Sequence, residues 1–251
     1  MIVAEGMPGA GKTSLLGRFL GERAVVFPEA QPDPAAAEGA AAGGLLAEDA
    51  ARLDQAPRLE SEGRTVLSDR CYAGVLAYRH ALAATGRTGP APLDETRRTV
   101  EDLALRERHA TSTIIVVRID VATSLERRAT VSPEVRARFA EWFDPRFLEA
   151  YAAFWEDPAA WAPPSAAVHV VADSGAAAKA VADAAGITPR PFGDPPEEVL
   201  SCPRACGAPR SPVVGTGGAR VQLAARGLHH AHGTGRTVCL RRAETVAACW
   251  L

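Results

Sequence analysis

The eight residues Gly6–Thr13 constrain the fold of this chain more than any other segment. They read Gly-Met-Pro-Gly-Ala-Gly-Lys-Thr and match in full the Walker A pattern, in which four variable residues separate a glycine from Gly-Lys-Thr. The apolar run Ile2–Ala4 precedes this loop, and apolar residues recur at helical spacing from Thr13 to Leu20. A strand, a glycine-rich turn and a helix in this order predict a nest of backbone N–H groups that binds phosphate oxygens.

Side chains within the loop add a cation and a metal ligand to that nest. Lys12 is one of only two lysines among the 28 basic residues, and a lysine at this place of the pattern reaches the β- and γ-phosphates of a nucleotide. The hydroxyl of Thr13 is a ligand for Mg²⁺. We therefore predict that the phosphates of a nucleotide and Mg²⁺ bind at the loop. The predicted nucleotide contacts are Gly6, Gly9, Ala10, Gly11, Lys12, Thr13 and Ser14.

Strands alternate with helices over most of the chain. Short apolar runs predict strands at 2–4, 24–27, 65–68, 114–119 and 168–171. Helical spacing predicts helices at 13–20, 38–62, 74–84, 93–109, 122–155 (with a break at 131–133) and 175–185. Such alternation indicates parallel βαβ units. We predict an α/β fold over residues 1–187, a P-loop NTPase three-layer sandwich around a five-stranded parallel sheet.

A second polar cluster, Ser68-Asp69-Arg70-Cys71-Tyr72, follows the third predicted strand. Ligands of open α/β sheets gather at the carboxyl ends of the strands, so we expect Asp69 and Arg70 beside the phosphate loop. The aspartate suits a Mg²⁺-bound water, and the arginine suits the charge of the transferring group or of its acceptor. The alternative is a surface Asp-Arg pair that caps the next helix.

The segment Val66–Arg79 resembles the "DRY…S…AYQ" stretch of thymidylate kinases and the related deoxynucleoside kinases. The matching residues are Asp69, Arg70, Ala77 and Tyr78, and the departures are Cys71 for the tyrosine, with Tyr72 one place later, Gly74 or Ala73 for the serine, and Arg79 for the glutamine. Looser similarity extends to Leu45–Arg52, Ile119–Val121 and Val168–Asp173. The resemblance covers residues 1–186.

The resemblance implies transfer of the γ-phosphoryl group of ATP to a nucleoside, a nucleotide or a similar small molecule. Glu29 stands where deoxynucleoside kinases carry a catalytic carboxylate, and no arginine follows it within several residues. This favours a hydroxyl acceptor, which needs a base, over a phosphate acceptor, which needs cationic groups. The alternatives are a solvated loop acid for Glu29 and an exposed helical arginine for Arg52. The resemblance places catalytic residues at Lys12, Glu29, Asp69, Arg70 and Arg128, and acceptor contacts at Glu29, Arg52, Arg70 and Tyr72.

By the same analogy, residues 122–138 form a lid over ATP. Its candidate phosphate contacts are Arg127, Arg128, Arg136 and Arg138. An aromatic stripe follows at helical spacing and consists of Phe139, Trp142, Phe143, Phe147, Tyr151, Phe154 and Trp155. This stripe stacks on a base or forms core, and core is the commoner outcome.

The character of the chain changes after the last predicted helix. Residues 188–200 are a Pro-rich linker, and residues 201–251 hold seven arginines against one acid. We predict a small basic C-terminal module that contains Cys and His. Cys202 and Cys206 resemble half of a zinc ribbon that Cys239 and one of His229, His230 and His232 complete, with His232 as our choice, and the alternative is a set of uninvolved thiols. Three roles are open for these arginines: binding of nucleic acid, binding of an acidic partner, or packing on the acidic first 200 residues. Nucleic acid is not the expected partner.

Bulk composition limits the remaining choices. Hydrophobic residues make up 47% and charged residues 23%, which is typical of soluble globular proteins. With no run of about 20 apolar residues and no leader before the first strand, we expect a cytoplasmic protein that does not bind membranes. We expect a kinase for a small-molecule acceptor. A homodimer stays open, as do an antibiotic or natural-product phosphotransferase and a nucleotide-binding regulator.

Overall fold

The computed structural model describes residues 1–21, 23–32, 36–163 and 165–190. In this part of the chain the strands are β1 (Ile2–Gly6), β2 (Ala24–Phe27), β3 (Thr65–Asp69), β4 (Thr113–Val117) and β5 (Ala167–Val171). The helices are α1 (Lys12–Gly17), α2 (Glu38–Ser61), α3 (Tyr72–Ala84), α4 (Ala91–Asp102), α5 (Leu105–Arg108), α6 (Val121–Arg127), α7 (Pro133–Arg138), α8 (Pro145–Phe154), α9 (Pro158–Trp161) and α10 (Ser174–Ala185), with a 3-10 turn at Ala140–Phe143. Among these helices none is long and apolar enough to cross a membrane.

All five strands form one parallel sheet in the order β2-β3-β1-β4-β5. Every residue of β1 is buried, as expected for a central strand that is covered on both faces. On one face Val3 and Ile114 pack with α3, α4 and α8. On the other face Ala4 and Ile115 pack with α1 and α10. The predicted α/β architecture with a five-stranded parallel sheet between helical layers is confirmed.

The helices between residues 91 and 155 are shorter than the spacing of apolar residues in the sequence predicts. The helix predicted at 93–109 is split into α4 and α5 by Ala104, which has a left-handed φ of 50°. The region 122–155 forms α6, α7, the 3-10 turn and α8, with the predicted break before Pro133 confirmed. Pro133 and Pro145 occupy first turns, where their missing N–H costs nothing. The side chains of Ser132 and Asp144 accept hydrogen bonds from the backbone of those turns and so fix each start.

The parallel sheet places the functional segments at one edge. β1 ends in the phosphate loop, and β3 ends at Asp69, directly before Arg70. Arg70 has a φ of 73°, so the backbone turns sharply between β3 and α3. The predicted linker at 188–200 lies outside the described residues beyond residue 190, and the predicted module at 201–251 lies wholly outside them.

Candidate functional site

The loop between β1 and α1 requires glycine at several positions. Gly6, Gly9 and Gly11 have φ values of 127°, 77° and 85°, which only glycine adopts readily. A Cβ atom on Gly6 would lie 2.2 Å from the carbonyl oxygen of Val117, and one on Gly9 would lie 3.2 Å from that of Ser124. The loop therefore keeps its turn and its close packing only with these glycines.

Lys12 lies inside this loop with 5% of its surface exposed. Its Nζ donates to the carbonyl oxygens of Gly6 and Met7, each at 3.2 Å. Burial lowers the pKa of Lys12 to about 8, and the charge of Arg70 acts in the same direction. The ammonium group is thus held at the loop by weak carbonyl contacts, in the position from which the predicted phosphate contact would be made.

Thr13 and Asp69 meet at the start of α1. Thr13 Oγ1 donates to Asp69 Oδ2 at 2.6 Å, while Asp69 Oδ1 is buried without a hydrogen-bond partner among the described residues. A hydroxyl and a carboxylate are the oxygen ligands that Mg²⁺ prefers, and Mg²⁺ commonly takes one or two protein ligands and completes its shell with phosphates and water. This pair therefore fits the predicted ion, although no cluster of three or more His, Cys, Asp or Glu ligands occurs within the described ranges.

Arg70 joins four parts of the fold. Its Nε donates to the carboxylate of Glu29, in the loop after β2. Its Nη1 donates to the carbonyl oxygen of Gly6 at 3.2 Å and to the hydroxyl oxygen of Tyr151 at 2.9 Å, and it lies 3.5 Å from Glu5 Oε2. The sharp turn after β3 thus directs the guanidinium toward the phosphate loop, where it is held between two carboxylates.

The two carboxylates beside Arg70 are both buried. Burial raises the pKa of Glu29, and Arg70 only partly opposes this effect. Burial likewise raises the pKa of Glu5, whose Oε1 accepts hydrogen bonds from the backbone N–H groups of Cys71 and Gly74 at 2.8 Å and 3.1 Å. Glu29 is therefore a stronger base than a solvated glutamate, and Glu5 ties the end of β1 to the start of α3.

A cavity of about 370 Å³ opens beside these groups. Glu29, Asp69 and Arg70 are among its lining residues. The other lining residues are Ala30, Pro32, Ala36, Ala41, Ala42, Leu45, Asp49, Arg52, Cys71, Gly74, Val75, Tyr78, Arg79, Arg138, Phe139, Glu141, Trp142 and Tyr151. A largely apolar cavity that ends in a few convergent polar groups is the usual form of a small-molecule site.

Comparison with known proteins identifies the fold. Neither the models of protein families nor the curated proteins include a match to this sequence. The structure of deoxyadenosine kinase from M. mycoides with bound dATP matches with a TM-score of 0.55 and 15% identity, over 74% of this chain and 99% of that one. The fold is that of a P-loop deoxynucleoside kinase. A second structure of that enzyme, with the products dCMP and a flexible dCDP, matches with a TM-score of 0.53 and 16% identity, over 74% and 98% of the two chains.

The segment 122–138, which is predicted to be a lid and is called the lid segment below, contacts the phosphate loop. Ser124 Oγ donates to the carbonyl oxygen of Pro8 at 2.8 Å, and Arg127 Nη1 donates to that of Gly9 at 3.0 Å. Arg136 donates to backbone carbonyls of the lid. Arg138 lies at the cavity, above the ring of Phe139. The lid arginines thus occupy different environments, and Arg127 is the one whose side chain contacts the loop backbone through a hydrogen bond.

Two predicted site residues make contacts other than the predicted ones. Tyr72 is fully buried, and its hydroxyl donates to the carbonyl oxygen of Trp161 at 2.6 Å, so it does not line the cavity. The reason is that α3 begins at Tyr72, which directs its ring into the core. Arg128 donates to the carbonyl and hydroxyl oxygens of Ser124 and lies 4.8 Å from the ring centre of Phe143. Burial lowers its pKa to about 10, and its charge is turned into the lid.

Arg52 lines the cavity as predicted for an acceptor contact, but its guanidinium is engaged with the protein. It donates to the carbonyl oxygen of Pro28 at 2.7 Å, to Glu48 at 2.6 Å and to Ser68 Oγ at 3.3 Å. The arginine therefore ties α2 to the ends of β2 and β3. These contacts define one wall of the cavity.

Sequence reasoning missed three residues of the site. Glu5 is an acid inside an apolar strand, and that position alone is a signal of a special role. Asp49 belongs to the segment that resembles the kinase family, yet only Arg52 of that segment was predicted to contact an acceptor. Tyr151 belongs to the aromatic stripe, and it is both fully buried and part of the cavity wall. The core interpretation of the stripe therefore applies to this residue, and stacking on a base stays a prediction.

Proposed function

We propose that this protein is an ATP-dependent kinase that phosphorylates a hydroxyl group of a nucleoside or a similar small molecule. The observation that carries the proposal is the junction of Glu29, Asp69 and Arg70 at the end of the cavity that adjoins the phosphate loop. A base, a metal ligand and a cation meet there. These are the groups that phosphoryl transfer to an alcohol requires.

The phosphate loop and Lys12 would bind the β- and γ-phosphates of ATP. The N–H groups of the loop precede the N-terminus of α1, which favours anions. Thr13 and Asp69 would hold Mg²⁺, whose charge offsets that of the phosphates when it is bound. Lys12 adds a positive charge that the protein keeps buried, where electrostatic interactions are stronger than in water.

Glu29 would act as the base. The acceptor hydroxyl gives its proton to the carboxylate of Glu29 while its oxygen bonds to the γ-phosphorus, and the bond from that phosphorus to the leaving ADP oxygen breaks. Arg70 donates to Glu29, which orients the carboxylate, and its charge would stabilise the negative charge that develops on the transferring group. The raised pKa of Glu29 makes proton transfer from an alcohol more favourable.

The cavity favours a small neutral acceptor. Its volume is near the lower end of the usual range of ligand sites, which is about 300–1,000 Å³. Of the four arginines in its lining, Arg52 and Arg70 are paired with the carboxylates of Glu48 and Glu29, and Arg138 lies above the ring of Phe139. This pairing supports a hydroxyl acceptor over a phosphate acceptor. The deoxynucleoside-kinase fold supports the nucleoside class.

The small side chains of the cavity favour a second candidate on the same scaffold. Ala30, Ala36, Ala41 and Ala42 line the cavity, and their small side chains restrict the shape of an acceptor less than larger ones would. A hydroxyl-bearing antibiotic or other natural product is therefore the alternative acceptor. The nucleotide-binding regulator rests on the basic residues 201–251, which lie outside the described residues.

The decisive experiment is an ATP-consumption assay with a panel of acceptors. The panel contains 2′-deoxynucleosides, ribonucleosides, their monophosphates and hydroxyl-bearing antibiotics, and mass spectrometry identifies the phosphorylated product. We expect a nucleoside to stimulate ADP formation and to gain one phosphate. If DNA or RNA stimulates turnover and no small acceptor does, the kinase proposal is wrong and the regulator is favoured.

A further inference from the structure

Tyr151 has a hydroxyl group that contacts the proposed catalytic groups, although the proposed transfer gives it no role. It lies on α8, is fully buried and belongs to the cavity lining. Its ring makes edge contacts with those of Trp142 and Trp155, with 5.2 Å and 5.9 Å between the ring centres. Its hydroxyl oxygen accepts a hydrogen bond of 2.9 Å from Arg70 Nη1. The ring is therefore fixed by the core, and the hydroxyl group contacts the arginine that donates to Glu29.

The guanidinium group of Arg70 has few other hydrogen-bond partners. Its Nε donates to Glu29. Each Nη of an arginine carries two N–H groups, and those of Nη1 are directed to the carbonyl oxygen of Gly6 at 3.2 Å and to the hydroxyl oxygen of Tyr151. Nη2 is buried and has no hydrogen-bond partner among the described residues. The bond to Tyr151 is the shorter of the two that Nη1 makes, so it holds this nitrogen more firmly than the carbonyl contact does.

A competing carboxylate lies beside the same nitrogen. Glu5 Oε2 is 3.5 Å from Arg70 Nη1, and it is buried without a hydrogen-bond partner in the described ranges. Such an oxygen is costly to leave without a donor, so an N–H group that loses its own partner is drawn to it. Without the hydroxyl group of Tyr151, one N–H group of Nη1 would be released beside Glu5. Because the guanidinium group is planar and rigid, movement of Nη1 toward Glu5 would also shift Nε relative to Glu29.

A neutral acceptor suits this position better than a third carboxylate would. Burial raises the pKa of Tyr151, although the charge of Arg70 opposes this effect. The hydroxyl group is therefore protonated and uncharged at neutral pH. It directs Arg70 without cancelling a positive charge that the transferring phosphoryl group requires.

We propose that Tyr151 is a positioning residue, which holds the guanidinium group of Arg70 on Glu29 and the phosphate loop against the competing carboxylate of Glu5. The proposal rests on the proposed kinase function and adds to it a residue that acts through Arg70. Tyr151 takes no part in proton transfer or phosphoryl transfer. Its hydroxyl group sets the position from which Arg70 orients the base and stabilises the developing negative charge.

Removal of one oxygen atom tests this role, because Tyr151→Phe keeps the ring and its packing. The matched control is Tyr72→Phe, which also removes a fully buried hydroxyl group with a hydrogen bond, here of 2.6 Å to the carbonyl oxygen of Trp161, away from the cavity lining. Both variants are assayed with ATP and the acceptor that the unmodified chain phosphorylates fastest. The kcat and the KM for ATP are measured, and urea denaturation gives the free energy of unfolding.

We expect Tyr151→Phe to lower kcat by about 10- to 100-fold, as for a lost hydrogen bond to a charged group that is displaced from the reacting atoms. The KM for ATP should change by less than about threefold, because the lost interaction acts mainly in the transition state. Tyr72→Phe should keep kcat within about twofold, since its lost hydrogen bond affects stability alone.

A second substitution distinguishes positioning from packing. Glu5→Gln removes the competing negative charge, and its amide oxygen can still accept from the backbone N–H groups of Cys71 and Gly74. Addition of Tyr151→Phe to Glu5→Gln should therefore lower kcat by less than about threefold, whereas a packing effect would persist in full. A crystal structure of Tyr151→Phe should show Arg70 Nη1 nearer to Glu5 Oε2 than the present 3.5 Å.

The possible failures of this proposal are distinct from failure of the kinase function. Unchanged kcat in Tyr151→Phe, an equal loss in Tyr72→Phe, or a full loss in the Glu5→Gln background would each overturn the proposal, while the kinase function would stand. If the unmodified chain phosphorylates no acceptor of the panel, both are wrong. Should Glu5→Gln not fold, Arg70→Lys replaces it, because lysine has no Nη1. Tyr151→Phe should then change kcat by less than about twofold in that background, and an additive loss would overturn the proposal.

Discussion

Thr13 Oγ1 donates a hydrogen bond of 2.6 Å to Asp69 Oδ2, although 56 positions separate the two residues in the chain. The parallel pairing of β1 with β3 produces this contact, because it sets Ala4 opposite Asp69 and brings both strand ends to one edge of the sheet. One hydroxyl and one carboxylate thus lie together at the start of α1. The consequences of this arrangement can be measured.

Replacement of Asp69 by asparagine should impair metal-dependent catalysis. We expect Asp69→Asn to lower kcat by about 10²-fold and to raise the Mg²⁺ concentration that gives half-maximal activity, since the ion loses an anionic ligand. A Mg²⁺ titration at constant ATP measures both effects. Asp54→Asn serves as the control for loss of a carboxylate and should behave as the unmodified chain does. An unchanged Mg²⁺ requirement in Asp69→Asn would contradict the assignment.

Replacement of Glu29 by glutamine should remove the base. We expect kcat to fall by about 10²- to 10⁴-fold, with the KM for ATP unchanged. Burial raises the pKa of Glu29 above its ordinary value of 4.5, so the rate of the unmodified chain should fall as the pH falls through that raised pKa and protonates the base. The pH–rate profile of Glu29→Gln should lack this acid limb. If the limb persists, another group is the base.

ATP affinity should depend on the protonation of Lys12. Burial lowers the pKa of this lysine to about 8, so the neutral amine predominates above that pH and the attraction for phosphates is lost. We expect the Kd for ATP to rise between pH 7 and pH 9.5, as measured by isothermal titration calorimetry. Lys12→Ala should bind ATP weakly throughout and show little of this pH dependence. A constant Kd in the unmodified chain would argue against the contact.

Glu5 should make the stability of the fold depend on pH. Burial raises its pKa above 4.5, so the folded chain binds this proton more tightly than the unfolded chain does. Stability from this group is therefore present at low pH and declines as the pH rises from about 4.5 through the folded pKa, at up to about 1.4 kcal/mol per pH unit. We expect the Tm of Glu5→Gln, relative to the unmodified chain, to increase between pH 5 and pH 8. A constant difference would show that Glu5 has an ordinary pKa.

Two glycines with positive φ give a matched test of the phosphate loop. Gly6 and Gly63 have φ values of 127° and 76°, but only a Cβ on Gly6 would meet another atom, the carbonyl oxygen of Val117 at 2.2 Å. We expect Gly63→Ala to cost about 1 kcal/mol of unfolding free energy and Gly6→Ala more than about 3 kcal/mol. Urea denaturation measures both. Equal costs would show that backbone conformation alone determines the effect.

The fold was predictable from sequence to the extent that its signals are local. The apolar runs of the five strands and the glycines of the loop act over a few residues, and the structure confirms the parallel sheet that they predict. The split of the helix predicted at 93–109 was missed, because its spacing is continuous across Ala104 while the backbone there is left-handed. The periodic spacing of apolar residues does not reveal such a turn.

In the candidate site, likewise, some residues were predictable from the sequence and others were not. Two sequence motifs predict the roles of Lys12, Thr13, Asp69 and Arg70. Glu5, Asp49 and Tyr151 have no such motif. Asp49 and Tyr151 line the cavity, and Glu5 contacts Arg70 beside it, because β1, α2 and α8 pack around α3. Tyr72 shows the converse, since its place beside Arg70 predicts a site residue while the phase of α3 turns it into the core.

What the sequence by itself determined is the phosphate loop of Gly6–Thr13, because glycine conformations and a strand–loop–helix order are local properties. Only the tertiary structure decided which groups surround that loop. The carboxylates of Glu5 and Glu29 flank Arg70, and Asp49 is fixed by His109, because the sheet order and helix packing join residues that are distant in the chain. Burial at that junction raises the pKa of both glutamates. The spacing of residues along the sequence does not predict this effect.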